Sequence, residues 1–358
     1  MTEESKGTAP SKRSFWQSLD ERLGLDALNY NIPKHGNKLP YMLGGITFFA
    51  FVILVLTGIF LTFYYDPNPA NANASVRTIM TDVPFGSFVR SVHYWTAQAM
   101  VISVVLHMFR VFITASYKRP RELNWIIGVL LLAVTFLFFF TGTILKWDEE
   151  AYQGLNESKE ISHFLGPLGL PISPNLASNV PLLARMYALH IAILPLVIGA
   201  IVLGHLFYVH HFNISPLPWK NRRKSEEKPE PREPFMVHLK GILKYGLVLF
   251  VIIAVLSIVF PAPLGPAPVT GIKDATLPLW PLIPLTAIDD LIGLWWVLPA
   301  MAIPLLFLLA VPFIDRREEL DPRRRKAIVL LFVVGVAIFL VLMIFGMTLS
   351  PGRTLVGG

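Results

Sequence analysis

The segment RSVHYWTAQAMVISVVLHMFRVF (90–112) carries His93 and His107, and LARMYALHIAILPLVIGAIVLGHLFYVHHF (183–212) carries His190 and His205. Both segments are otherwise apolar and reach the ~20 residues a helix needs to cross the hydrocarbon core of a bilayer. The spacings are 14 and 15 residues, roughly 21–22 Å at about 1.5 Å of rise per residue. Fourteen residues is close to four turns, so His93 and His107 share a face; fifteen rotates His205 from His190 by only about 60°. If the two helices lie side by side and run the same way, His93 meets His190 and His107 meets His205. Each meeting point offers two imidazoles, the axial ligand set of a six-coordinate haem iron. One histidine in a membrane helix is as well explained by an interior hydrogen bond. Two pairs at matched spacing are not, and ionisable groups inside a bilayer read as functional.

Composition places the rest of the chain in lipid. It is 54% hydrophobic and 15% charged, with a mean hydropathy of +0.56. Apolar stretches of spanning length fall near 42–64, 88–115, 124–145, 183–212, 242–261, 290–314 and 326–348. The stretch 262–289 is too interrupted by proline for a regular helix and reads as a long ordered loop. The expected fold is an all-α integral membrane protein: a cytoplasmic N-terminal arm (1–41), an antiparallel four-helix bundle holding two stacked haems (42–212), a basic cytoplasmic linker (213–241), and three further spans with an extramembrane loop (242–358).

Charge sets the orientation. Lys12, Arg13, Lys34 and Lys38 precede the first span, and alternate loops are basic at 118–121, 220–228 and 316–326. The intervening loops are neutral or acidic, as at Asp148, Glu149 and Glu150. The positive-inside rule puts the N-terminus in the cytoplasm and the C-terminus outside. The net charge of +7 lies beside spans, so it argues for anionic lipid rather than nucleic acid. The first 40 residues are polar and contain no secretory signal. Cysteine is absent, which excludes disulfides, cysteine-ligated clusters and thioether-attached haem in this chain.

A second regularity matches the first. With the N-terminus inside, the second and fourth spans run parallel, and the first and third carry Gly44 and Gly58, and Gly128 and Gly142, each pair again 14 apart. Glycine at those levels removes the side chain where a flat macrocycle approaches the helix. Arg90 and Arg110 stand three residues before His93 and three after His107, where a guanidinium reaches haem propionates.

Seven segments stand out together: LGGIT (43–47), TFYY (62–65), RSVHYW (90–95), LHMFRVF (106–112), KRPRELNWIIGV (118–129), TGTILKWD (141–148) and LARMYALHIAILP (183–195). The chain resembles cytochrome b of the quinol-oxidising bc and b6f complexes across residues 30–346, most of all the plastid and cyanobacterial form. VPFIDRREELDPRRR (311–325) resembles the separate fourth subunit of the b6f type, here fused through the linker. The resemblance implies two non-covalent b haems and quinone as substrate. It also implies a Rieske-type iron–sulfur or c-type cytochrome partner and a homodimer within a larger complex, in a bacterial or archaeal cytoplasmic membrane. It assigns His210, with His211 adjacent and Lys240 contributing, to an inner quinone site.

Two departures stand out. The cysteine that tethers an extra haem in b6f relatives is replaced in the stretch Met42-Leu43, so no covalent third haem is expected. At the outer quinol site, the family's Pro-Glu-Trp-Tyr motif reads Pro278, Leu279, Trp280, Pro281. Leucine cannot accept a quinol proton; Asp274, Asp148, Glu149 or Glu150 could. Two functions stay open. One is a quinol-oxidising core that splits electrons between an iron–sulfur partner and the haems. The other is a non-bifurcating haem anchor that connects a peripheral oxidoreductase or multihaem cytochrome to one quinone site.

Overall fold

The structure, a computed structural model, describes residues 15–24, 28–173, 176–177, 179–218, 230–269 and 276–348. The basic positions 220–228, the arm residues Lys12 and Arg13, and Asp274 lie outside them. In chain order the helices are α1 (Phe15–Leu23), α2 (Leu39–Thr62), α3 (Ala72–Thr81), α4 (Gly86–Ile113), α5 (Glu122–Leu145) and α6 (Glu149–Phe164). There follow α7 (Leu182–Ala188), α8 (Leu194–Phe212), α9 (Phe235–Val259), α10 (Ile283–Ile292), α11 (Val297–Ile314) and α12 (Lys326–Thr348). Two short strands, β1 (Asn31–Pro33) and β2 (Arg232–Pro234), pair antiparallel.

Seven helical segments among the described residues are long and apolar enough to cross a membrane. The fourth, Leu182–Phe212, is α7 and α8 joined by a π-helical turn at Leu189–Ile193. Pro195, just past that turn, lacks the N–H that would continue α-helical bonding, and its ring crowds the preceding carbonyls. The fifth span starts at Phe235, ahead of the 242 read from the sequence, because β2 brings the chain directly into it. The loop expected over 262–289 also differs: its end forms α10, opened by Pro284 in the first turn and stopped by Gly293 at φ +94°.

The acidic run after the third span is not a solvated loop. Asp148 caps α6, its Oδ1 accepting from the Ala151 N–H at 3.1 Å, and Glu149 and Glu150 fill the first turn. An N-cap and first-turn carboxylates are where the helix dipole favours negative charge.

The two parts of the chain are joined by a buried network at the end of the bundle where α4 ends and α5 begins. Asp315, just past α11, accepts from Tyr117 Oη at 2.6 Å, Lys118 Nζ at 3.0 Å and Arg325 Nη1 at 3.0 Å. Arg325 Nη2 also donates to the Ile113 carbonyl at 2.8 Å. Burial alone would lift the Asp315 carboxyl; these donors outweigh it and hold it below the ordinary range. On the N-terminal side, buried His35 contacts Glu230 through Nδ1 at 2.7 Å and the Ser215 carbonyl through Nε2 at 3.0 Å.

Inside the membrane the halves meet at an apolar cluster of Phe112, Trp125, Val129, Leu132, Leu308, Val311 and Phe332. Pro312 sits four residues after Leu308 and supplies no N–H to its carbonyl. Trp125 supplies one instead, Nε1 donating to Leu308 O at 2.7 Å. Replacing Trp125 with Phe should therefore orphan that carbonyl at a cost of about 1–3 kcal/mol. In a Pro312→Ala background the helix regains its own donor, and the same change should cost measurably less. Unfolding of the four variants in micelles, read as a double-mutant cycle, checks this; strict additivity would contradict it.

Candidate functional site: two stacked histidine pairs

The π-turn explains how a 15-residue spacing serves the same purpose as 14. A wide turn takes up one additional residue, so His190 and His205 project toward α4 at the levels of His93 and His107. The imidazole centres lie 6.4 Å apart for His93 and His190, at an interplanar angle of 63°. They lie 6.5 Å apart for His107 and His205, at 82°. An imidazole nitrogen binds a first-row metal at about 2.0–2.1 Å, and adding roughly 1.1 Å from nitrogen to ring centre on each side gives about 6.2–6.4 Å. Both gaps are the size of one iron with two axial imidazoles.

The glycines stand where the spacing placed them, one behind each ring. A Cβ built on Gly44 would lie 2.9 Å from His107 Cε1, and on Gly142 3.0 Å from His190 Cε1. At Gly58 and Gly128 the distances to His93 and His205 are 3.4 and 3.5 Å. The glycines thus make room for the imidazole rings, at the helix backbone.

The sequence alone missed two threonines. Thr57 Oγ1 lies 2.9 Å from His93 Nδ1, and Thr141 Oγ1 lies 2.9 Å from His190 Nδ1. Their signal was visible as a repeated Thr-Gly dipeptide at 57–58 and 141–142.

The arginines are more occupied than the sequence suggested. Arg90 Nη1 and Nη2 donate to the carbonyls of Ala262 and Pro263, each at 2.7 Å. Arg110 Nε donates to Pro40 O at 3.3 Å, its Nη2 stands 3.4 Å from His107 Nδ1, and the guanidinium lies over the Tyr41 ring at 4.9 Å.

At the end of the bundle that carries the N-terminal strand, His210 is exposed and packs edge-on against Tyr30 at 4.6 Å; His211 and Lys240 are exposed. Two residues before Lys240, His238 is buried, stacks on Phe235 and has no hydrogen bond at Nδ1. An ionisable group in the first turn of a span was the signal for it.

At the opposite end of the bundle, the described residues between α9 and α10 (261–269 and 276–282) meet a cradle of side chains. Ser91 Oγ accepts from Ala262 N–H at 2.9 Å, and Asp148 Oδ2 from Gly265 N–H at 3.1 Å. Glu149 Oε2 accepts from Val269 N–H at 3.2 Å, and Gln153 Oε1 from Thr276 N–H at 2.9 Å. Glu150 Oε1 accepts from Leu279 N–H at 3.0 Å, while its other oxygen pairs with Lys146. Trp280 Nε1 donates to Gln98 Oε1, buried in α4, at 2.9 Å. The three carboxylates are 0%, 7% and 7% exposed. Burial raises the Glu150 carboxyl above its ordinary range, with Lys146 partly offsetting it. Burial works against the Lys146 ammonium, and Glu150 and Asp148 outweigh it and raise its pKa.

Fold and site define a multi-pass, all-helical membrane protein whose paired histidines face one another across iron-sized gaps. The sequence matches the family described as Cytochrome b/b6/petB over residues 28–213. It is 39% identical to cytochrome b6 of Oltmannsiellopsis viridis over 56% of this chain and 97% of the relative. It is also 39% identical to cytochrome b6 of Heliobacterium modesticaldum over 53% and 89%. In structure it is similar to a chain of a hyperthermophilic respiratory Complex III, with a TM-score of 0.74 and 26% identity, covering 92% of this chain and 91% of that one. The chain belongs to the cytochrome b/b6 family, and haem b is the group that membership implies.

Single alanine substitutions should separate the glycines. Ala at Gly44 or Gly142 should lower the haem-to-protein ratio of purified protein more than Ala at Gly58 or Gly128, because the tighter sites displace a ligand ring. Pyridine haemochrome assay of the four variants checks the order; equal retention would contradict it.

Proposed function

We propose that this cytochrome b is the redox core of a membrane complex. That complex oxidises quinol near the outer face and delivers electrons both to a Rieske-type iron–sulfur or c-type cytochrome partner and, across the membrane, to quinone near the inner face. The observation that carries the reading is the pair of gaps, 6.4 and 6.5 Å between imidazole centres, stacked along one bundle. Similarity to a Complex III chain over nearly the whole length supports it. Two non-covalent b haems, one per gap, would supply one-electron transfer between the faces. The basic positions at Lys118, Arg119, Arg121 and 316–326 favour the cytoplasm for the inner face and the N-terminus. His238 joins His210 and Lys240 as a residue proposed for the inner quinone site.

At the outer face, Glu150 is the residue best suited to replace the absent motif glutamate. It binds the backbone of Leu279, the very position where the resemblance expects that glutamate. Its carboxyl is lifted by burial, and a group whose pKa moves toward the working pH serves proton transfer better. Lys146 is its counter-ion and Trp280 a wall of the site. Asp148 and Glu149 hold loop N–H groups at Gly265 and Val269, which suits anchoring more than proton exchange.

Leu279 and Pro281 also favour a second reading, the non-bifurcating anchor with one quinone site. Turnover of the intact complex separates the two. Glu150→Gln should slow quinol oxidation about a hundredfold, the lower end of general acid–base contributions, with haem content unchanged. Unchanged turnover and outer-site inhibitor sensitivity in the Asp148→Asn, Glu149→Gln, Glu150→Gln triple variant would remove the carboxylates from the chemistry. If the unmodified complex shows no outer-site quinol oxidation, the anchor reading takes over. Orientation is tested separately: a tag after Gly358 should be labelled from outside intact cells, and cleavage within 220–228 from outside would reverse the topology.

A further inference from the structure

We propose that the Tyr94 hydroxyl binds the quinol head at the outer site and turns one quinol hydroxyl toward Glu150. It supplies a phenol to a site whose motif tyrosine, by resemblance, is replaced by Pro281. The inference rests on the outer quinol site proposed above and names a further substrate contact within it.

Arg90, Tyr94 and Gln98 stand four residues apart on α4, about 40° of rotation per step, so they form one stripe along the helix. Both ends of that stripe are fixed to the segment that follows α9. Arg90 donates to the carbonyls of Ala262 and Pro263, each at 2.7 Å, and Gln98 Oε1 accepts from Trp280 Nε1 at 2.9 Å. Tyr94 lies between them and faces the ground from Pro263 to Trp280. Trp95 braces it: the rings meet edge-on at 5.2 Å and 81°, and Trp95 Nε1 donates to Phe260 O at 2.8 Å. The charges of Lys146, Glu150 and Arg90 all reach the Tyr94 hydroxyl. The phenol therefore stands beside the ion pair whose carboxylate holds the Leu279 N–H.

The neighbouring polar groups are already engaged. Glu150 accepts from Leu279 N–H and Lys146, Gln98 accepts from Trp280, and the terminal nitrogens of Arg90 are on carbonyls. Tyr94 is half-buried, yet its hydroxyl makes no hydrogen bond among the described residues. A tyrosine tip drawn into a protein normally finds a partner. A phenol can donate and accept at once, and so can a quinol hydroxyl. The side chains of Leu279 and Pro281 can do neither. An aromatic diol entering here therefore meets two groups with different work: the Glu150 carboxylate to take a proton, and the Tyr94 hydroxyl to hold the head in place.

The test is steady-state quinol oxidation by the intact complex, unmodified or carrying Tyr94→Phe or Tyr94→Leu. Phenylalanine keeps the ring against Trp95 and removes only the hydroxyl. The KM for quinol should rise about tenfold, the upper end for one net hydrogen bond. The kcat should stay close to its unmodified value, the mark of lost binding rather than lost chemistry. Haem content and absorption spectrum should match the unmodified complex, and leucine should raise KM at least as far as phenylalanine does. An unmoved KM in the Phe variant would overturn the proposal; a rise with Leu alone would show that the ring serves packing only. A fall in kcat at constant KM would overturn it as well, by moving the hydroxyl into the proton transfer itself. Haem loss from the Phe variant would make Tyr94 a folding residue and end the proposal too. Absence of outer-site quinol oxidation in the unmodified complex would instead overturn the functional reading beneath it.

Discussion

Everything in the first four spans is subordinate to the distance between two imidazoles. Two rings could share one iron only if their nitrogens approach from opposite sides at a fixed separation, and the second pair, 14 to 15 residues along, repeats that geometry. That fixes α4 and α8 as parallel partners and sets their axes well apart. The glycine-bearing helices α2 and α5 stand behind the four rings. The glycines follow, because the ring edges opposite the gap would otherwise collide with those helices. So does the π-turn: a span carrying one residue too many keeps its register by widening one turn rather than by rotating a ligand out of the gap.

A different constraint governs the surface around α6. Residues 261–269, after α9, have no regular secondary structure, so their buried backbone N–H and C=O groups need partners from elsewhere. The four-helix part supplies the partners from α3, α4 and α6: Arg90 and Asn73 donate to carbonyls, while Ser91, Asp148, Glu149, Glu150 and Gln153 accept from N–H groups. Buried carboxylates are costly when isolated. Here Asp148, Glu149 and Glu150 have a helix N-terminus behind them, loop N–H groups in front and Lys146 beside them, so the same residues open α6 and close the outer face.

The spans and the histidine and glycine spacings were legible because each is a local pattern: length, apolarity and a period close to whole helical turns. The family was legible for the same reason. The placement of Thr57 and Thr141 was not, because their meaning depends on which ring lies against them across the bundle. Nor was the bonding of Arg90 to carbonyls 172 and 173 residues away, or of Trp125 to a carbonyl freed by Pro312. α10 was hidden by the prolines around it, although Pro284 in its first turn is compatible with a helix start. The acidic run looked like a loop because charge after a span usually means solvent; the segment that buries it comes from more than a hundred residues later.

The strand pairing of Asn31–Pro33 with Arg232–Pro234 and the His35–Glu230 contact tie the start of the first part to the start of the second. The cytochrome b6 relatives are matched over 97% and 89% of their own length by 56% and 53% of this chain. Carried on one chain, the two parts meet in an intramolecular event with an effective concentration on the order of millimolar. Stoichiometry is then fixed at translation. A four-helix part with an uncovered outer face, its three carboxylates stripped of their loop partners, would exist only as long as one chain takes to finish folding.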